Sequence, residues 1–415
     1  MSNLTSIELG CIGLTITGKT PSSNYPEDFG DKYMFITPSD EFDEKTIYKS
    51  KRYLSQIGLE KLKNKTLPPK SILVSCIGSA MGKIIMNHSI AISNQQINSI
   101  IVNNKYNPDY IYYNLKNNYK LLRNAASGST ALPMLNKTDF DKLIIKIHKN
   151  QTEQNSIASV LSSLDAKIEL NNRINAELEA MAKTLYDYWF VQFEFPNEQG
   201  KPYKSSGGKM IWNEELKRDV PEGWEVKTIK DFAFTGSGST PLKSKNEYYE
   251  NGDIPWINSG EVNIPFIISA NKYITELGLK NTSTKIFKKG TILIAMYGAT
   301  AGKVSILDID ACTNQAICAI NVNDNRYRNF LKLVLDDLYD YLINLSSGSA
   351  RDNLSQDKLK NLQILIPNIN ILNEFDNIVD PIYLKILKNY RENQNLTTLR
   401  DWLLPMMMNG QVKMG

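Results

Sequence analysis

The chain has 415 residues, 42% of them hydrophobic and 22% charged, with a formal net charge of +4 at pH 7. That length accommodates two domains of ordinary size with helices to spare, and so mild a charge by itself names no polyanionic partner. No apolar run reaches membrane-spanning length and "MSNLTSIELG" lacks a basic–apolar–small secretion pattern, so neither a membrane nor an exported protein is expected.

Residues 1–150 read as a first β-rich domain. Within it, "CIGSAMGKI" (Cys76 to Ile84) has the look of a phosphate-binding loop. The spacing argues otherwise: three residues rather than four separate Gly78 from Gly82, and Ile84 follows Lys83 where a magnesium-binding hydroxyl belongs. The run that follows, "KIIMNHSIAIS", is β-branched and short, unlike the helix such a loop must open. The spelling predicts a strand–turn–strand element with glycines at positive φ.

Residues 151–192 follow as a long polar helix with an apolar stripe, then a linker over 193–222. A second β-rich domain covers 223–368, and a second long helix with a tail covers 369–415. In the first helix the heptad a positions read Ile157, Leu164, Asn171, Leu178 and Leu185, and the d positions Val160, Lys167, Ile174, Met181 and Tyr188. In the second they read Phe375, Ile382, Asn389, Leu396 and Leu403, with Ile378, Lys385, Glu392, Leu399 and Met406. Asn171 and Asn389 share one slot and Lys167 and Lys385 another, which predicts an antiparallel coiled coil whose polar break fixes register. Pro381 predicts a kink or a fresh start in the second helix. About 40 helical residues span roughly 60 Å.

The two halves repeat each other. "MYGATAGKV" (Met296 to Val304) answers the first glycine turn, with Gly78 and Gly298 standing 220 residues apart. At the same offset "TGKTP" (Thr17 to Pro21) answers "SGSTP" (Ser237 to Pro241), and "SNQQI" (Ser93 to Ile97) answers "TNQAI" (Thr313 to Ile317). "ASGST" (Ala126 to Thr130) answers "SSGSA" (Ser346 to Ala350). With one residue of slip, "FITPSD" (Phe35 to Asp40) matches "WINSGE" (Trp256 to Glu261). Two copies are too few for a solenoid. The expected fold is α+β: two duplicated β-rich domains separated by two long helices in an antiparallel coiled coil, with pseudo-two-fold symmetry. Such symmetry suits an extended, pseudo-symmetric target such as duplex DNA.

Catalytic signatures are missing. His88 and His148 are the only two histidines, and neither has a partner motif. No H-E-x-x-H, G-x-S-x-G, dinucleotide-binding glycine pattern or N-P-P-[YF] methyltransferase motif occurs. Glu225-Val226-Lys227 spells E-x-K without an acidic companion motif. The four cysteines, Cys11, Cys76, Cys312 and Cys318, have no C-x-x-C spacing and read as reduced thiols of a cytoplasmic protein. No catalytic, cofactor-binding or metal-ligating residue is assigned, and the pattern is that of a binder.

The duplicated domain with its helix resembles the specificity (S) subunit family of Type I restriction–modification systems. The residues that carry the likeness are the paired "IGSAMGKI" and "YGATAGKV" turns, "LYDYWFVQFEFP" (Leu185 to Pro196), "VPEGWEVKTIKDF" (Val220 to Phe232) and "TTLRDWLLPMMMNGQV" (Thr397 to Val412). The first half lacks the "PEGWE" lead-in of the second, so an abbreviated start is expected there. The resemblance implies that each β-rich domain is a target-recognition domain reading one half of a bipartite site on double-stranded DNA, with the helices as the spacer. It implies two methyltransferase subunits docked on the chain, joined by restriction subunits. S-adenosylmethionine, ATP and magnesium would belong to those partners and not to this chain. A non-DNA interaction scaffold with duplicated β domains is the alternative.

Candidate DNA contacts are loop residues able to reach phosphates or base edges. In the first domain these are Lys19, Thr20, Ser22, Ser23, Arg123 and Ser129. In the second they are Lys243, Lys245, Tyr248, Asn258 and Arg351. Residues shared by both halves, such as Asn94 with Asn314 and Gln95 with Gln315, are expected to hold the fold, because the two half-sites differ. For the subunit interface the candidates are Tyr188, Trp189, Phe190, Arg400, Asp401 and Trp402.

Overall fold

A computed structural model of the chain describes residues 4–40, 42, 44–125, 134–346 and 354–412. The chain divides into two compact units, Met1–Leu170 with Glu392–Gly415, and Asn171–Arg391. Each long helix contributes residues to both.

In the first unit a five-stranded sheet runs in the order Gly13–Thr17, Ile97–Val102, Ile72–Ser75, Ile84–Asn87, Thr46–Ile47. Its neighbours are antiparallel except the last pair, which is parallel. The central strands "ILVS" and "IIMN" are buried at every residue, as expected of a sheet covered on both faces. Ile72, Val74, Ile84 and Met86 face one core, with Tyr110, Phe140 and Leu161, while Leu73 and Ile85 face another, with Met34 and Ile97. A second, four-stranded sheet holds Phe29–Gly30, Tyr53–Leu54, Tyr33–Ile36 and Ala91–Ser93.

The second unit repeats this plan. Its five-stranded sheet has the order Ala233–Ser237, Ile317–Val322, Ile292–Ala295, Val304–Leu307, Phe266–Ile267. The register agrees residue for residue: Thr46 lies opposite Met86, and Phe266 opposite Ile306. The burial alternates in the same way, with Ile292, Ile294, Val304 and Ile306 on one core and Leu293 on the other. Both glycine turns join antiparallel strands, with φ of 71° and 84° at Gly78 and Gly82, and 92° and 75° at Gly298 and Gly302. The strand–turn–strand expectation therefore holds.

The start of the first half is not abbreviated. Leu4–Glu8 pairs antiparallel with Ile144–His148, and in the second half Glu225–Thr228 pairs with Gln363–Ile366. A lead-in strand needs alternating burial and a partner strand, which "LTSIE" supplies without the "PEGWE" spelling. Between the halves, Met210–Asn213 and Arg218–Pro221 form a hairpin, and Phe195 stacks on Trp224 with centroids 5.2 Å apart.

The long helices are Gln151–Tyr186, followed by one π-helical turn over Asp187–Val191, and Ile369–Met408. The second runs unbroken through Pro381 and Pro405, so it does not start afresh at Pro381. Each proline only removes one i→i−4 donor, a local loss that the flanking turns tolerate. Pairing is antiparallel within each unit. In the first, Arg400 meets Asp165 at 2.7 Å and Lys167 meets Glu392 at 3.5 Å. In the second, Asn389 Nδ2 donates to Asn175 Oδ1 at 2.8 Å, and Trp189 packs on Phe375.

The seam itself is phased differently from the sequence expectation. Ile157, Asn171, Phe375 and Asn389 are buried as expected, but their seam partners lie one residue later, at Leu161, Asn175, Ala182, Val379, Ile386 and Met407. The expected d residues Met181, Tyr188, Ile378 and Leu399 are exposed instead, and Lys167 and Lys385 lie outside the seam. Two apolar stripes run side by side on each helix, and only the packing against the sheet cores selects between them.

His148 is fully buried, and its backbone N–H donates to the Tyr110 hydroxyl at 2.9 Å. That hydroxyl in turn donates to Nδ1 at 2.8 Å, which leaves the proton of the neutral ring on Nε2. Burial lowers the His148 pKa, so the unfolded state binds more protons below the ordinary value of about 6.5. Stability is complete above that pH and is lost as pH falls through it, by at most about 1.4 kcal/mol per pH unit. Urea titrations at pH 7.5 and 5.5 (conditions spanning a value of about 6.5) should show a smaller loss in a His148→Gln variant than in the native chain.

A Cβ on Gly238 would stand 1.8 Å from the Thr313 carbonyl oxygen, whereas one on Gly298 meets nothing within 4 Å. Gly238→Ala should therefore cost about 3 kcal/mol or more through backbone displacement. Gly298→Ala should cost only the left-handed conformation, about 1–2 kcal/mol. Denaturant midpoints of the two variants check the order.

Candidate nucleic-acid interface

The repeated motifs meet in space. Gly18 lies so close to Ser93 that a Cβ would stand 2.1 Å from its carbonyl oxygen, and Lys19 N–H donates to that oxygen at 2.9 Å. Thr20 Oγ1 donates to Gln95 Oε1 at 2.7 Å, and Asn94 Oδ1 accepts from Gln96 N–H at 3.1 Å. In the second unit Thr240 Oγ1 donates to Gln315 Oε1 at 2.6 Å and Asn314 Oδ1 accepts from Ala316 N–H at 3.1 Å. "TGKTP" with "SNQQI", and "SGSTP" with "TNQAI", are thus one junction built twice. The shared Asn and Gln side chains are engaged within the chain, and the junction fixes where the loops after Thr20 and Thr240 leave the sheet.

Of the candidates in those loops, Lys19, Ser22 and Ser23 are exposed in the first unit, and Thr20 is held by Gln95. Arg123 is exposed and donates to the Tyr119 hydroxyl at 2.8 Å. In the second unit Lys243 and Lys245 are exposed, whereas Tyr248 is buried and accepts a hydrogen bond from Lys245 Nζ at 3.1 Å. That bond, ahead of the charge of Glu247, raises the Lys245 pKa. Asn258 caps a short turn: its N–H donates to Glu261 Oε1 at 2.8 Å, as Thr37 N–H donates to Asp40 Oδ2 at 2.7 Å in the first unit. Ser129 and Arg351 lie outside the described residues, as does most of the third repeated motif.

Sequence reasoning missed Asn246, Tyr249, Trp256, Lys272 and Tyr273, which with Lys243 line a cavity of about 430 Å³ in the second unit. Their signal was present in the repeat: Lys272 and Tyr249 stand 220 residues after Arg52 and Phe29, a cation and a ring kept in both halves.

The subunit-interface candidates fall into three settings. Trp189 and Phe190 are inside the core, where Phe190 packs on Phe375 and Phe330 with centroids 4.7 and 4.8 Å away. Arg400 is also largely withdrawn, bridging Asp165 and Asp401. Tyr188, Asp401 and Trp402 are exposed. Tyr188 joins Met181, Leu185, Ile378 and Ile382 along an apolar groove of about 890 Å³ in the second unit. In the first unit Leu399 and Trp402 are exposed on the second helix. No helix among the described residues is long and apolar enough to cross a membrane.

A sequence model of the Type I restriction modification DNA specificity domain matches residues 1–180 and again 221–400. The MjaIX specificity subunit of Methanocaldococcus jannaschii is 27% identical, over 97% of this chain and 92% of that protein. The HindI specificity subunit of Haemophilus influenzae is 28% identical, over 74% of this chain and 77% of that one. The crystal structure of the Type I restriction–modification S subunit from M. genitalium shares the fold at a TM-score of 0.61 and 18% identity, covering 100% of this chain and 97% of its own. The chain belongs to the Type I restriction–modification DNA specificity family, and its function is that of a specificity subunit.

Asp165 and Arg400 have side chains only 10% and 14% exposed, and Asp165 also accepts from the Tyr113 hydroxyl. Arg400→Ala strands that carboxylate and should destabilise the chain by about 3 kcal/mol, seen as a lowered denaturation midpoint of the chain without partners.

Proposed function

We propose that each unit's β-rich domain reads one half of a bipartite site on duplex DNA, and that the helices set the unread gap between the halves. The observation that carries this is the junction built twice with the same bonds and then furnished with different loops: Lys19, Ser22 and Ser23 in one, Lys243 and Lys245 in the other. A shared frame with unlike loop chemistry is what two different half-sites require, since base edges are read by side chains while phosphates only position. Helices of 36 and 40 residues, at about 1.5 Å per residue, give a ruler of fixed length.

The apolar stripe that the helix pairing leaves exposed supports docking of two copies of one partner. Met181, Tyr188 and Ile378 present it in the second unit, and Leu399 and Trp402 present its counterpart in the first. Those partners are the methyltransferase subunits, which carry S-adenosylmethionine and methylate an adenine in each half-site. Restriction subunits with ATP and magnesium join that core. The chain itself is a non-catalytic recognition subunit that works in the cytoplasm.

Expression with the cognate methyltransferase subunit in a host stripped of adenine methylation, followed by modification-sensitive long-read sequencing, tests the reading. A new bipartite motif, methylated on both strands and absent without this chain, is the expected outcome. An assembled complex that yields no motif would remove the recognition role in favour of a scaffold. In the same complex, Met181→Glu with Ile378→Glu should lower the mass measured by light scattering by one methyltransferase subunit.

A further inference from the structure

Besides the loops, the second unit offers the cavity lined by Lys243, Asn246, Tyr249, Trp256, Lys272 and Tyr273. We propose that it is a seat for one sugar–phosphate unit of the DNA backbone, with the phosphate held by the two lysines and the Asn246 amide and the sugar against the rings. The inference rests on the DNA-recognition reading above and adds a ligand, a location and an asymmetry to it.

The cavity is rigidly walled. Trp256 is buried and its Nε1–H donates to the Ser239 carbonyl at 3.0 Å, while the Tyr249 hydroxyl donates to the Pro241 carbonyl. The polar ends of both rings are thereby spent on the Ser239–Pro241 backbone, and the two rings meet edge to face with centroids 6.2 Å apart. At about 430 Å³ the space falls within the size range of small-ligand sites.

Its charge is uncompensated. No carboxylate lines it, and among the described residues neither Lys243 nor Lys272 makes an ion pair. Neighbouring lysines of the same unit do: Lys245 has Glu247, Lys280 has Glu276, Lys288 has Asp310 and Lys289 has Asp308. Two ammonium groups facing one cavity repel until an anion joins them. Lysines donate and cannot accept, so this set suits an oxygen-rich anion better than a base edge, which offers donors as well as acceptors.

The first unit has the same frame and fills it. Phe35 N–H donates to the Arg52 carbonyl at 2.9 Å, as Trp256 N–H donates to that of Lys272 at 2.9 Å. There, however, the Arg52 guanidinium lies 4.6 Å from the Phe29 ring centroid and 5.4 Å from that of Phe35. An arginine stacked on the rings takes the space that Lys272 leaves open, and Ser23 replaces Lys243. The seat is therefore a device of the second domain alone.

The test measures binding of the full chain to fluorescent duplex DNA by anisotropy, across roughly 50–200 mM NaCl. The Lys243→Gln/Lys272→Gln variant is compared with the native chain and with Lys201→Gln/Lys204→Gln, a surface pair remote in sequence from the cavity. All four lysines are exposed, so melting curves should coincide. The cavity variant should lower the slope of log K against log salt by about 2, one per lost phosphate contact, and the control pair should leave it unchanged. A native chain without salt-dependent binding would sink the DNA reading itself. A native slope retained by the cavity variant, or an equal drop in the control pair, would overturn the seat and leave the DNA reading standing.

Discussion

Each unit depends on a five-stranded sheet that must be covered on both faces. Residues alternate along its central strands, so Ile72 and Val74 need one cover and Leu73 needs another, and the same holds for Ile292, Ile294 and Leu293. The long helices supply the first cover and the small second sheet supplies the other. With both faces taken, loops at the strand ends are the free surface, and that is where the variable chemistry sits. The same demand decides how the helices are turned, since the residues that reach the sheet cores also set the seam.

Duplication of this frame explains why the repeated motifs carry no base-reading chemistry. The glycines at 18 and 238 exist because a carbonyl lies where a Cβ would be, and the Thr–Gln bonds tie the same strand ends together. What differs is placed on top of the frame. Ser23 answers Lys243, and Arg52 answers Lys272. Specificity comes from such replacements on a constant backbone, and the contrast between a stacked arginine and an open, lysine-mouthed cavity is one of them.

Polar groups in the seam show a second trade. Asn175 and Asn389 pair by one hydrogen bond, while Asn175 Nδ2 and Asn389 Oδ1 are left without partners. Leucines there would bury more apolar surface, but an amide pair tolerates fewer offsets between helices, which is the property a ruler needs. Asn171 and Asn393 are buried in neighbouring seam positions, so the polar layer has members from both helices.

The sequence by itself determined the duplication, the strand–turn–strand identity of both glycine turns, the two long helices and their antiparallel pairing. Each of these rests on spacing and residue type, which the chain carries without folding. Only the tertiary structure decided which of two adjacent apolar stripes is buried: Val160 beside Leu161 and Met181 beside Ala182 satisfy the same periodicity, and contact with the sheet cores breaks the tie. It also decided that Trp189 and Phe190 are core while Tyr188 is surface, because neighbours in sequence lie about 100° apart on a helix. Lys245 and Asn258 read as free donors in the sequence and turned out to be engaged by Tyr248 and Glu261. The cavity of Lys243 and Lys272 was illegible for the converse reason: its walls come from segments nearly 30 residues apart, brought together only when Trp256 N–H finds the Lys272 carbonyl.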